Sequence, residues 1–185
     1  MSKTKNAFAI LTLILLSHTA FAVPKSRLYQ ETVSMYEKFT AKYDIAMFGD
    51  SLIQRGNWQD MFPEVRIANR GIGGDDTEGM LARIDSVEHT GAHTIFVQVG
   101  TNDLNRKKSP EEITNNIKEI AEKISNKKIN VIILSVILAS KEHVVKNKLI
   151  KKINSDLKKE NGRYKYLDLN VALGKVRISG EILLG

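Results

Sequence analysis

Apolar and polar positions along this chain follow two rhythms. Five short apolar runs, Asp44–Phe48, Val65–Ala68, Thr94–Val99, Asn130–Leu138 and Tyr164–Leu169, have the length and residue types of buried strands. Between them, apolar residues recur at helical spacing. Met80, Ile84 and Val87 form one stripe, which Gly91 is placed to stop. Ile113, Ile117, Ile120 and Ile124 form a second, opened by Ser109-Pro110-Glu111-Glu112, a capping box with proline at the first helical position. Val145, Leu149, Ile153 and Leu157 form a third. Strands alternating with helices over such lengths predict parallel βαβ units with right-handed crossovers. The expected fold is an α/β protein, a three-layer α/β/α sandwich around a parallel five-stranded sheet of order 2-1-3-4-5.

The amino terminus breaks this pattern. Lys3 and Lys5 precede an apolar stretch from Ala7 to Leu16, and Ala20-Phe21-Ala22 follows with small residues around a bulky one. This is the composition of a secretory signal peptide, residues 1–22, cleaved after Ala22. The stretch falls short of the roughly 20 residues that span a bilayer, although an uncleaved anchor has a similar composition. The expected mature protein is therefore one exported, periplasmic or secreted domain, residues 23–185, with no stable membrane insertion after cleavage.

Charge changes the picture little. Removing residues 1–22 takes away two lysines and no acids, lowering the net charge from +7 to +5. The positive charge is spread over aromatic-poor stretches such as Lys146 to Lys159, which read as solvated helix faces and not as a nucleic-acid surface. With zero cysteines there is no disulfide, no thiolate metal site and no lipid-modified cysteine.

Three segments each follow a predicted strand and so meet at one edge of the sheet: Gly49-Asp50-Ser51-Leu52, Asn69-Arg70-Gly71-Ile72-Gly73-Gly74-Asp75 and Gly100-Thr101-Asn102-Asp103. Together they offer a hydroxyl nucleophile, a glycine whose bare N–H can approach a substrate oxygen, and a side-chain amide donor. That set suits acyl transfer, in which preorganised donors stabilise the tetrahedral oxyanion by about 3–4 kcal/mol each. Taken singly, each feature has a plainer reading. Ser51 caps a helix, Gly71, Gly73 and Gly74 serve a tight turn or cradle a phosphate, and Asn102 sits in a turn. Neither a P-loop nor Gly-x-Gly-x-x-Gly spacing is present, which disfavours a nucleotide-binding domain. Asp50, Asp75 and Asp103 read as turn-holding or capping groups.

In identity and order the three segments resemble the SGNH/GDSL hydrolase superfamily, and Asn69-Arg70-Gly71-Ile72-Gly73-Gly74-Asp75 resembles its platelet-activating-factor acetylhydrolase-like branch. The resemblance covers roughly residues 44–175 and implies a flavodoxin-like sandwich. It also implies a serine esterase or acylhydrolase with no metal or organic cofactor. Ser51 would be the nucleophile, while the N–H groups of Ser51 and Gly74 and the side-chain amide of Asn102 would form the oxyanion hole. The substrate implied is a small-molecule, carbohydrate or lipid acyl ester.

A serine hydroxyl needs an adjacent base. In the family this is a histidine, held by an aspartate three residues earlier, after the fifth strand. The sequence contains no Asp-x-x-His. After Asp168 it continues as Leu169-Asn170-Val171-Ala172-Leu173 and ends at Gly185, so the expectation is a C-terminally incomplete domain that also lacks the last helix. Of the remaining histidines, His18 belongs to the leader, and His89 and His93 fall on the sheet edge opposite Ser51. His143 follows the fourth strand on the right edge, but two strand spacings, roughly 10 Å, separate it from the first strand. It is a weak substitute for the base. The chain is thus expected to be an impaired serine ester hydrolase, the alternative being a non-catalytic carbohydrate- or ester-binding module on the same fold.

Overall fold

Five parallel strands form the expected sheet. They are β1 (Ile45–Gly49), β2 (Ile67–Gly71), β3 (Thr94–Gln98), β4 (Asn130–Leu134) and β5 (Lys165–Leu167), in the order β2-β1-β3-β4-β5. The structure is a computed structural model that describes residues 25–38, 41–159 and 162–178, with backbone only for 175–178. The leader at 1–22, its cleavage point and His18 lie outside the described residues.

Nine helices are described: α1 (Arg27–Lys38), α2 (Ser51–Gln54), α3 (Trp58–Met61), α4 (Thr77–Ala82), α5 (Asp85–Glu88), α6 (Thr101–Asn105), α7 (Pro110–Ser125), α8 (Val144–Lys158) and α9 (Leu169–Ile178). One sheet face buries Ala46, Phe48, Ile95, Val97, Val131 and Ile133 against side chains of α4, α5, α7 and α8. The other face carries Met47, Ile67 and Leu134 under Ile53, Trp58 and Leu169 of α2, α3 and α9. The second layer is thinner, and Ile45, Phe96 and Ile132 remain half-buried there.

Helix α7 follows its sequence pattern closely. Ser109 accepts the Glu112 N–H at 3.1 Å, and Ile113, Ile117, Ile120 and Ile124 are all buried, each contributing about 1.5–3 kcal/mol. Helix α8 departs from its pattern. Val145 is 75% exposed and Leu149 36%, while Ile150, Ile153 and Leu157 carry the buried face. Two amides complete that face. Asn154 bridges the N–H and carbonyl of Val136 at 2.9 Å each, and Asn147 bridges those of Ala139 at 2.9 and 3.2 Å. A search for apolar spacing cannot register a helix face that docks through side-chain amides.

Three further differences have local causes. The Met80-Ile84-Val87 stripe is buried as expected but breaks into α4 and α5 at Arg83, whose side chain turns inward. Helix α1, not named from the sequence, has no buried residue, although Tyr29, Val33 and Tyr36 lie half-buried at helical spacing along one face. A helix also follows β5, where none was expected: Asp168 accepts the Asn170 N–H at 3.0 Å and starts α9.

Candidate active site

The three loops meet because their strands end in register. Gly49 at the end of β1 lies opposite Gly71 of β2 on one side and Gln98 of β3 on the other. Both glycines are needed for close approach. A Cβ on Gly49 would fall 2.2 Å from the Gln98 carbonyl oxygen, and one on Gly71 would fall 2.1 Å from the Gln54 nitrogen. The ends of β1 and β2 can therefore lie directly against the first turn of α2.

Ser51 is the first residue of α2 and is half-buried. The Asp50 side chain caps the helix by accepting the Leu52 N–H at 2.9 Å, which turns the chain sharply at the strand end. Burial pushes the Asp50 carboxyl up to about 6; the nearby Asp75 and Asp103 add to this, and the Leu52 N–H opposes it. Among the described residues, neither the Ser51 hydroxyl nor its N–H has a hydrogen-bond partner.

Gly74 lies in the turn Ile72-Gly73-Gly74-Asp75, closed by the Asp75 N–H on the Ile72 carbonyl at 3.2 Å. Its φ of +74° suits glycine, and an added Cβ would meet nothing within 4 Å, so conformation and not space asks for glycine. The Gly74 N–H donates to no described group, while its carbonyl accepts Arg106 Nη2 at 2.8 Å. Arg106 also pairs through Nη1 with Asp76 at 3.0 Å.

Asn102 lies in α6 and donates Nδ2 to the Asp75 carbonyl at 2.7 Å. An amide nitrogen carries two hydrogens, so this bond orients the group and leaves the second N–H to give. Ser51, Gly74 and Asn102 thus stand on three neighbouring turns joined by hydrogen bonds.

The aspartates around them face inward. Asp75 is fully buried against Arg83, with Oδ2 2.7 Å from Nε, and Asp103 is fully buried against Thr77. Asp76 caps α4 by accepting the Gly79 N–H at 2.9 Å. Burial raises the Asp76 pKa, but that N–H and Lys25 outweigh it and hold the carboxyl below its ordinary value. Sequence reasoning missed Arg83, Arg106 and Lys25. Arg83 had a readable signal, since it lies three residues after Met80 and four before Val87 on the buried face.

The histidines fall where strand order places them. His93 immediately precedes β3 and His89 ends α5, both at the edge opposite Asn102. His143 precedes α8 on the Ser51 edge, and its side chain makes no capping hydrogen bond.

Residues 47–177 match the model of the GDSL-like Lipase/Acylhydrolase family. The alpha1 subunit of platelet-activating factor acetylhydrolase IB from Rattus norvegicus is 31% identical over 104 residues, which cover 50% of this chain and 44% of the relative. The alpha2 subunit from the same organism is 32% identical over 90 residues, covering 45% of this chain and 38% of that one. The chain therefore spans less than half the length of these curated relatives. A lipolytic G-D-S-L family protein from Veillonella parvula shares the fold at TM-score 0.65 and 20% identity, over 76% of this chain and 86% of that one. An acetylxylan esterase from Geobacillus stearothermophilus, solved as a catalytic mutant, does so at TM-score 0.63 and 15% identity, over 77% and 83%.

Proposed function

This chain belongs to the GDSL-like lipase/acylhydrolase family, within the SGNH/GDSL superfamily, and from that premise we propose that it is a serine ester hydrolase acting through Ser51. The observation that carries the reading is the junction of the three turns. Asn102 is held on the Asp75 carbonyl, and the Ser51 and Gly74 N–H groups are left undonated beside it.

In this reading Ser51 Oγ attacks the ester carbonyl carbon. Negative charge gathers on the former carbonyl oxygen, which the Ser51 N–H, the Gly74 N–H and Asn102 Nδ2 receive, each donor contributing about 3–4 kcal/mol. The Ser51 proton passes by way of solvent to the leaving oxygen as the C–O bond breaks, so collapse expels the alcohol and leaves an acyl-serine, which water then hydrolyses to free the acid and restore the hydroxyl. The substrate class is a small or medium acyl ester, such as an O-acetyl group on a carbohydrate or a lipid acyl chain. None of the described residues accepts a hydrogen bond from Ser51 Oγ, and in this reading a hydroxyl without a base turns over slowly.

The assay is p-nitrophenyl acetate hydrolysis by the purified chain beside Ser51→Ala and Asn102→Ala. Slow release above buffer that both substitutions abolish is the expected result. Equal rates in parent and Ser51→Ala reject the reading. The unpartnered Ser51 hydroxyl also favours a second reading, a binding module that holds ester ligands without turnover. Saturable binding of an acetylated oligosaccharide at equal hydrolysis rates would select it.

Export follows from the sequence of residues 1–22 alone. N-terminal sequencing of protein from the periplasm and medium is expected to begin at Val23, and protein retained in the cytoplasm with Met1 in place would overturn export.

A further inference from the structure

We propose that Arg83 is a positioning residue for this site, holding the oxyanion donors of the Gly74 turn and Asn102 in place against the Ser51 turn. The proposal rests on the site reading above and extends it to a residue that touches no substrate.

The Arg83 side chain is 1% exposed and lies 4.6 Å from the centroid of the Phe48 ring. Its guanidinium reaches three acceptors on two segments, one before Ser51 and two at the ends of the Arg70–Asp75 stretch. Nε donates to Asp75 Oδ2 at 2.7 Å, Nη1 to the Arg70 carbonyl at 2.9 Å, and Nη2 to the Gly49 carbonyl at 2.9 Å. Gly49 directly precedes Asp50-Ser51, and Arg70 leads into the Gly74 turn. The backbone carbonyl of Asp75 is the acceptor that orients Asn102. One rigid, planar group therefore spans the nucleophile turn and the oxyanion turn, and through Asp75 the third donor. A lysine ammonium is a single point charge and cannot hold that fork.

Strand cohesion does not require this arrangement. β1 and β2 are already paired from Ile45↔Ile67 to Gly49↔Gly71, and the Gly49 carbonyl also accepts the Ile72 N–H at 3.0 Å. A buried ion pair is by itself weak evidence for stability, because desolvation offsets its attraction. What Arg83 adds is a fixed distance between turns that otherwise join through the strand ends and through Asn69 Nδ2 on the Gln54 and Gly56 carbonyls. Lys25 Nζ holds the other Asp75 oxygen at 3.1 Å from outside, so the carboxylate is clamped from both sides.

The test reads the Asn102 side-chain amide by NMR in the 15N-labelled full chain, with its signals identified by their loss in Asn102→Asp. In the parent the two Nδ2 protons resonate far apart, because one is bonded to the Asp75 carbonyl. In Arg83→Lys that separation shrinks by half or more while the amide signals of Ile150, Ile153 and Leu157 stay in place. Asp75→Asn keeps both the carbonyl and a neutral acceptor for Arg83, so it covers the case in which Arg83→Lys does not fold, and it is expected to shift the Asn102 pair in the same direction. A folded variant with a lowered unfolding midpoint and an unmoved Asn102 pair overturns the proposal, since that is what a purely stabilising residue would give. Wherever Ser51-dependent turnover is measured, Arg83→Lys lowers kcat about 100-fold with KM little changed. If Ser51→Ala leaves hydrolysis untouched, the hydrolase reading fails while the Asn102 signals still decide the positioning role. Ser51-dependent hydrolysis beside an unmoved Asn102 pair overturns the positioning role alone.

Discussion

Thr77 gives both its backbone N–H and its hydroxyl to the Asp103 carboxylate, at 3.1 and 2.7 Å. All of these groups are buried, and Lys108 Nζ lies 3.4 Å from the same carboxylate. The pair ties the first residue of α4 to α6, and so ties the segment after the Gly74 turn to the helix that carries Asn102. Asp103→Ala leaves two buried donors unpaired and is expected to lower stability by about 3 kcal/mol in urea unfolding. A loss under about 1 kcal/mol would mean that water replaces the carboxylate there.

Asp50 makes stability depend on pH. Its carboxyl rises on folding from 3.8 to about 6, chiefly through burial, so between those values the folded chain binds more protons than the unfolded one. Stability from this group is therefore highest below the unfolded value and falls as pH rises through the window. The full cost, about 3 kcal/mol, stands above the folded value. Asp50→Asn keeps an acceptor for the Leu52 N–H and removes the charge. Its stability relative to the parent is expected to rise by about that amount between pH 4 and pH 8 in thermal unfolding; a difference that does not change with pH would refute the attribution to burial.

Two glycines of one loop differ in kind. Gly71→Ala drives a Cβ to 2.1 Å from the α2 backbone, while Gly74→Ala meets open space at φ +74°. The first is expected to cost about 3 kcal/mol or more through displaced backbone. The second costs about 1–2 kcal/mol through the left-handed conformation alone. Calorimetry on both variants checks the order, which would be reversed if α2 moved freely over β2.

Asn154→Ala removes both of its hydrogen bonds to Val136 and strands the Val136 N–H beneath α8, while the Val136 carbonyl keeps Asn170 Nδ2 at 3.0 Å. The expected cost in denaturant unfolding is about 2 kcal/mol. A neutral substitution would show that the Asn154 bonds add nothing to the docking of α8.

Strand order and the three site turns were legible in sequence because both follow from local signals: apolar runs for the strands, and Gly, Asp and Asn at their carboxyl ends. Ile113, Ile117, Ile120 and Ile124 could be read for the same reason. Helix α1 was passed over although Tyr29, Val33 and Tyr36 stand at helical spacing, because its face is half-buried and polar-tipped and holds on through the Tyr29 and Tyr36 hydroxyls. Arg83 was lost inside an apolar stripe, since an arginine there reads as an interruption until its three acceptors are known.

Helix α1 is held to the rest of the molecule by side-chain tips. Tyr29 donates to the Gly79 carbonyl at 3.1 Å, Tyr36 to the Gly71 carbonyl at 3.0 Å, and Lys25 before it reaches Asp75 and Asp76 at 3.1 Å each. A segment attached this way opens as its own cooperative unit, at a free energy well below global unfolding. Its amides should exchange with deuterium long before those of α7. Each opening withdraws one of the two cations on the Asp75 carboxylate, so the Gly74 turn inherits the opening rhythm of a helix far before it in the chain.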